Sequence, residues 1–332
     1  MIALGIETSC DETSVAVVKD ARKILSNEIA SSIKFHKQYG GVIPEIASRM
    51  QLETISEVAA SALRGAGVKL KNIDLISVTC GPGLLGSLLV GISFAKSLSL
   101  SLGIPFLGVN HVHSHFYANF LQGKVISLPF VALVVSGGHT SLFYVRDFDK
   151  IEVLGQTYDD ACGEAFDKVA KILGLGYPGG PLIERLALRG DPDSIKFNCS
   201  GTKNPLDFSF SGIKTAVLYY VHKHNRQTGK LADRTTNNIC ASFQHAVVET
   251  LVKKAVLACK MKKAKSLLLG GGVVANKALR ERFAGISAKE GLECHLPSPG
   301  ICMDNAAMVA GFGSQLFKKG YRSNLYLNTD LN

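Results

Sequence analysis

The sequence predicts an α/β protein of two lobes, each opening on a β-hairpin, and three observations carry that prediction. First, the order apolar run, polar turn, apolar run occurs twice. It reads IALGIE, TSCDET, SVAVVK at the N-terminus and PFVALVVS, GGHT, SLFYVR near residue 130. The second run begins with Thr-Ser both times, at 13–14 and at 140–141. Second, the strands that follow alternate with helices. Third, glycines collect where strands end, in CGPGLLGS, VVSGGHTS and LLLGGGVVANK. A chain of 332 residues with 46% hydrophobic content has the apolar material for two cores.

Each element has a local reason. EIASRMQLETISEVAASALRGAG places apolar residues at 55, 58, 59, 62 and 63, a helical period, and Gly65 and Gly67 mark its end. IDLISVTCGPG is a strand running into a glycine turn. SLLVGISFAKSLSLSLG is a helix apolar nearly all round and is therefore expected to be buried. IPFLGV is a strand that delivers the chain to the histidines of NHVHSH. After the second hairpin, DDACGEAFDKVAKILGLG is a helix capped by Asp159 or Asp160, with Glu164 and Lys168 as an i,i+4 pair. Residues 191–212 are irregular. NICASFQHAVVETLVKKAVLACKMKKAK is a long helix, SLLLGGGVVANKALRERFAG is strand, glycine loop and helix, and CMDNAAMVAGFGSQLFKKG is the last helix. The end, YRSNLYLNTDLN, carries no pattern and is expected to be loose.

Composition excludes several classes. The N-terminus lacks a basic stretch and turns acidic by Asp11, so no secretory signal is expected. The longest apolar run, LLGSLLVGISFAKSLSLSLGIPFLGV, is broken by Lys96, serines and Pro105 and reads as core rather than membrane. Eight cysteines at irregular spacing, none in CxxC, read as reduced thiols in a cytosolic protein. A net charge of +10 permits a polyanionic partner, and residues 253–265 carry six lysines and no acid. That run is either a solvated helix face or a phosphate-contacting stripe.

Glycine after a strand lets backbone N–H groups approach an anion, and three such loops in one α/β chain favour a nucleotide cleft between the lobes. None matches GxxxxGK[ST] or GxGxxG. His111 and His115 share one face of a helix, as metal ligands do. A protease of the HExxH type is excluded, because Val112 stands where the Glu base belongs. Asp304 is a possible third ligand or an ordinary N-cap. Asn276 is a nucleotide contact or an N-cap, and Asp167 a ligand contact or a solvated flank residue. His113 points elsewhere on the helix and is expected at the surface or behind the ligands.

Together GIETSCDETSVAVV, HVHSH, LVVSGGHTSL, GEAFDKVAKILGLGYPGGP, FSFSGIKT, GGGVVAN and CMDNAAM, in order from residue 2 to about 313, closely resemble the TsaD (formerly Gcp) family. These are the tRNA N6-adenosine threonylcarbamoyltransferases. The resemblance implies the fold of actin, Hsp70 and the sugar kinases, two ribonuclease-H-like lobes around a nucleotide cleft. The lobes are expected at 1–117, joined by a C-terminal helix within 303–332, and at 118–302. The implied reaction moves threonylcarbamoyl from threonylcarbamoyl-AMP to N6 of adenosine 37 in tRNAs reading codons that begin with A. His111, His115 and Asp304 would hold one metal ion, iron or zinc. Val134, Val135, Ser136, Gly137, Gly138, Asp167, Gly180 and Asn276 would line the adenylate site, where ATP, ADP or AMP can also sit, with Glu184 on the ribose. Asp11 and Glu12, in the first hairpin turn and expected to face the cleft, are the carboxylates to test for catalysis. Implied partners are tRNA, a TsaB-like paralogue, a TsaE-like ATPase and a TsaC-type synthase supplying the adenylate. No membrane is involved, and a bacterial-type cytoplasmic location is expected. The rival readings are an actin-fold ATPase and a scaffold paralogue without transferase activity, which should lack the metal ligands.

Overall fold

The computed structural model describes residues 1–123, 125–228 and 232–330. The chain divides into two compact units. Unit 1 comprises Met1–Ile126, Asp147–Lys150 and Pro297–Asn332, and unit 2 comprises Ser127–Arg146 and Ile151–Leu296.

Unit 1 begins with three strands, β1 (Ile2–Glu7), β2 (Glu12–Lys19) and β3 (Lys23–Ser31), then a single turn α1 (Ile33–His36) and the long helix α2 (Pro44–Ala66). It continues through β4 (Leu75–Gly81), α3 (Leu85–Leu102), β5 (Phe106–Asn110) and α4 (His111–Tyr117). The sheet order is β3-β2-β1-β4-β5, with β1 antiparallel to β2 and parallel to β4. The hairpin register pairs Ile2 with Lys19 and Glu7 with Ser14, leaving residues 8–11 as the polar turn. Helix α2 ends where Gly67 adopts φ 64°, a left-handed C-cap that costs glycine little. Gly65 remains inside the helix.

Unit 2 repeats this plan. Its elements are β6 (Phe130–Val135), β7 (Thr140–Asp147), β8 (Lys150–Gln156), α5 (Cys162–Ile172), α6 (Gly179–Ala187), α7 (Ser211–Thr228), α8 (Asp233–Lys262), β9 (Ser266–Gly270), α9 (Lys277–Glu290) and β10 (Glu293–His295). The sheet order is β10-β9-β6-β7-β8, with β6 antiparallel to β7 and parallel to β9. Counted from its own first strand, each sheet runs third, second, first, fourth, fifth. The echoed hairpin is thus the start of a duplicated ribonuclease-H-like sheet. Neither Asp159 nor Asp160 caps α5. Asp159 accepts from the Phe210 N–H and the Ser209 hydroxyl, and Asp160 sits between Lys168 and Lys214. The Glu164 carboxylate instead reaches back to the Ala161 N–H at 3.2 Å and also pairs with Lys168.

The last helix, α10 (Ala306–Lys318), returns to unit 1. Strand side chains alternate faces, so Leu4, Ile6, Val15 and Val17 join the core with α2 and α3 while Gly5 meets α10 on the other side. A Cβ on Gly5 would overlap the Ala306 carbonyl oxygen, and the Ser14 hydroxyl receives the Ala306 N–H at 2.9 Å. The start of α10 is therefore seated on the first hairpin.

Two expectations are corrected here. Helix α3 is buried on one face only: Leu88, Gly91, Ile92 and Ala95 are inside, while Leu85, Leu89 and Leu100 are 51%, 42% and 72% exposed. The chain end is not loose. Ser323 N–H donates to the Phe106 carbonyl at 3.0 Å, and Asp330 N–H donates to Cys80 O at 2.7 Å. Residues 331 and 332 lie outside the described residues.

Candidate metal centre and nucleotide loops

Strand β5 ends at Asn110, whose side chain accepts the His113 N–H at 3.0 Å and so starts α4. One helical turn then sets His111 and His115 on the same side, both buried, with ring centroids 4.7 Å apart. Asp304 comes from just before α10. The N-cap of that helix is Asn305, which accepts the Met308 N–H. The capping role is taken, and the Asp304 carboxylate is turned to the histidines instead. Its Oδ1 lies 3.3 Å from His115 Nε2 and 3.7 Å from His111 Nε2.

These residues suit a metal ion. Their ligand atoms all lie within 4.8 Å of one another, and ligands about 2.0–2.2 Å from a shared ion stand roughly 3–3.5 Å apart. His115 gives an independent sign. It is 1% exposed, yet neither ring nitrogen has a hydrogen-bond partner among the described residues. A buried unsatisfied imidazole is costly unless something else uses its lone pair. His111 differs, because its Nδ1 lies 3.0 Å from Glu7 Oε2. Burial works against its cationic form, but the charges of Glu7 and Asp304 outweigh burial and hold it up at about 9. His113 is not part of the cluster. Its ring lies against Phe116 and Phe312, and burial lowers it to about 4.

The acidic turn is held by its backbone. Gln51 Nε2 donates to the carbonyls of Cys10 and Glu12, and Ser32 donates to the Asp11 carbonyl from both N–H and hydroxyl. The Glu12 carboxyl is raised to about 10, first by burial, then by the negative charges of Asp304 and Asp11. The Cys10 thiol is pushed up by burial and by the same acids, so it is no nucleophile at neutral pH.

In unit 2 the residues divide by what their side chains do. Val134 and Val135 are fully buried in β6 and contribute packing. The strand delivers Ser136, Gly137 and Gly138, and no atom lies within 4 Å of a Cβ built on either glycine. The first amides of α5 are occupied, since Gly163 and Glu164 N–H donate to the carbonyls of Ser136 and Gly137. Gly179 is packed against Phe166 and Asp167, whereas Gly180 faces open space. One Asp167 oxygen accepts the Gly179 N–H at 2.6 Å, and burial raises this carboxyl. Asn276 is the N-cap of α9 through Leu279 N–H and also donates to Gln244 at 2.8 Å. Glu184 accepts the N–H of Lys277, the first residue of the same helix, at 2.7 Å. Asp167, Asn276 and Glu184 thus all anchor helix starts.

A family model described as TsaD, tRNA N6-adenosine threonylcarbamoyltransferase, matches residues 23–311. The chain belongs to the TsaD family. A tRNA N6-adenosine threonylcarbamoyltransferase of Symbiobacterium thermophilum is 50% identical over 98% of this chain and 95% of its own length. The proteins of that name from Dictyoglomus turgidum and Clostridium perfringens are 48% and 49% identical over 99% and 100% of this chain, and 98% and 97% of their own. The chain is accordingly a transferase that modifies N6 of a tRNA adenosine. Among solved structures, HypF of T. kodakarensis matches with a TM-score of 0.65 at 15% identity, over 96% of this chain and 48% of that one, about half of HypF. Component A of the Acidaminococcus fermentans (R)-2-hydroxyglutaryl-CoA dehydratase matches with a TM-score of 0.53 at 15% identity, over 95% and 98%. These place the fold in the actin, Hsp70 and sugar-kinase class.

A TsaD-family enzyme binds tRNA, but the lysine run of α8 is only partly available for phosphate. Lys254 donates to the carbonyls of Pro205 and Asp207, Lys260 pairs with Glu290, and Lys262 pairs with Glu152. Half of the six are engaged within unit 2. The sequence reading also missed Glu7 and Ser9, which lie against His111, and Thr79, which bonds Glu7. The one available signal was an acid closing an otherwise apolar strand, IALGIE.

Proposed function

We propose that the chain transfers threonylcarbamoyl from threonylcarbamoyl-AMP to N6 of adenosine 37 in tRNAs reading codons that begin with A. In this proposal His111, His115 and Asp304 hold one metal ion, and the loops of unit 2 hold the AMP portion. The observation that carries it is the approach of a buried His115, without a hydrogen bond on either ring nitrogen among the described residues, to an Asp304 relieved of capping by Asn305. Two imidazoles and a carboxylate suit iron or zinc, and iron is the ion we assign. Bound there, it supplies Lewis acidity toward a carbamoyl or phosphate oxygen.

The chain's own residues supply alignment. The donor is a mixed anhydride with AMP as a good leaving group, while the adenine amine is a poor nucleophile because its lone pair is delocalised. Holding the two together is therefore the larger task. We assign metal chemistry to the lobe of residues 1–117 and 303–332, and nucleotide binding to 118–302. Gly137, Gly138 and Gly180, with open space where a Cβ would stand, give room to the AMP, or to ATP, ADP or AMP in the same site, and Ser136 holds that loop through its bonds to His139 and Gly163. The oxygens of Asp167 and Glu184 not bonded to Gly179 and Lys277 accept from ribose hydroxyls. Asn276 shapes that site through the start of α9. Asp11 accepts the amine proton as the new N–C bond forms and AMP departs. Glu12, whose carboxyl burial pushes up, is the poorer base. By family membership we assign as partners a TsaB-like paralogue, a TsaE-like ATPase and a TsaC-type synthase that makes the labile donor.

The test is His111→Ala, with metal content and formation of threonylcarbamoyladenosine (t6A) measured on supplied adenylate. The proposal expects metal to fall from about one ion per chain to near zero, and the rate to fall about 100-fold or more. Full activity in a metal-free variant contradicts it.

A further inference from the structure

Glu7 closes β1 at the edge of the metal cluster and is 1% exposed. A carboxylate so placed is costly unless donors surround it. Ser9 N–H donates to Oε1 at 2.6 Å, the Thr79 hydroxyl donates to Oε2 at 2.6 Å, and His111 Nδ1 lies 3.0 Å from Oε2. Both of the first two partners donate, which suits an ionised carboxylate. The Ser9 hydroxyl also lies 3.2 Å from Nδ1 and can donate or accept, but the carboxylate at 3.0 Å can only accept, so the proton on this side of the imidazole belongs on Nδ1. That makes Nε2, 3.7 Å from Asp304 Oδ1, the nitrogen left for a metal ion. His115 has no corresponding partner among the described residues.

We propose that Glu7 is a positioning residue: it fixes the ring orientation and tautomer of His111, so that Nε2 is presented to the metal. Such carboxylate–histidine–metal relays raise ligand basicity and lock ring geometry. Thr79 and Ser9 in turn hold Glu7, tying the ligand to the ends of β1 and β4. The inference rests on the metal reading above, and its test separates the two.

The experiment is a double-mutant cycle read as Zn2+ affinity, by competition with a chelator, on the full chain. Glu7→Gln is expected to weaken Zn2+ about 10–100-fold. In a His111→Ala background the same substitution should change affinity less than about threefold, because its effect passes through His111. An equal loss in both backgrounds, or no loss in either, overturns the inference. Zn2+ affinity unaffected by His111→Ala overturns the metal reading itself. Should Glu7→Gln fail to fold, long-range 1H–15N correlation on the Zn2+-loaded wild type decides. A proton on His111 Nδ1 is expected, and an unprotonated Nδ1 overturns the inference.

Discussion

Replacing Gly5 by alanine should damage stability and the metal centre together. The added methyl would overlap the Ala306 carbonyl and stand 2.9 Å from Ala310 Cβ. Ordinary carbon contacts are about 3.5–4.0 Å, so α10 must retreat by about 1 Å. Overpacking of this kind costs about 1–3 kcal/mol, which in a unit of this size lowers Tm by about 3–10 °C. Asp304 rides two residues ahead of Ala306, and its 3.3 Å approach to His115 is lost in the same movement. Zn2+ binding should weaken about tenfold or more, since such sites tolerate about 0.5 Å. Gly65→Ala is the control. Its Cβ would meet Ser26 and Glu28 at 3.5 and 3.6 Å, ordinary contact inside a helix, and stability should rise by about 0.5–1 kcal/mol. The assays are thermal unfolding and chelator competition on both variants. Gly5→Ala with the wild-type Tm and wild-type Zn2+ affinity would refute the role given to the α10 seat.

Two further outcomes follow from the same geometry. His111 is held up at about 9 in the metal-free protein, above its unfolded value of about 6.5. Its contribution to stability is therefore present below about pH 6.5 and lost as pH rises to about 9. Zn2+ must displace its Nε2 proton, so apparent affinity should climb over that interval, with proton release visible as buffer-dependent heat in titration calorimetry. Affinity independent of pH between 6.5 and 9 counts against it. Lys254→Ala should lower Tm by removing its bonds to residues 205 and 207, about 1–2 kcal/mol, while leaving the salt dependence of tRNA binding unchanged. A reduced salt slope with unchanged Tm would show that Lys254 contacts phosphate instead.

What the sequence could reveal depended on how local the cause was. Both hairpins were legible because strand period and turn composition are written in consecutive residues, and the Thr-Ser echo marked a real duplication of sheet order. The His111/His115 spacing was legible for the same reason. Asp304 was not, since both an N-cap and a ligand fit an acid before a helix. Asn305 takes the cap, which leaves the Asp304 carboxylate facing the histidines. Asn276, offered as a cap or a nucleotide contact, does cap α9. Helix α3 was misjudged because composition counts apolar residues without saying which face has a neighbour. The tail was misjudged because its ties, backbone bonds at Ser323 and Asp330, the Ser323 hydroxyl and Leu327 against the core, depend on distant partners that no local pattern shows. Glu7 escaped because its three donors come from positions 9, 79 and 111, which only the folded sheet brings together.

The central claim is tested most directly by nucleoside mass spectrometry of tRNA from cells depleted of this protein and supplied with either the wild type or Asp304→Ala. The account predicts that wild type restores t6A, while Asp304→Ala, folded and expressed at the same level, leaves tRNA with unmodified adenosine. Full restoration of t6A by Asp304→Ala would contradict it.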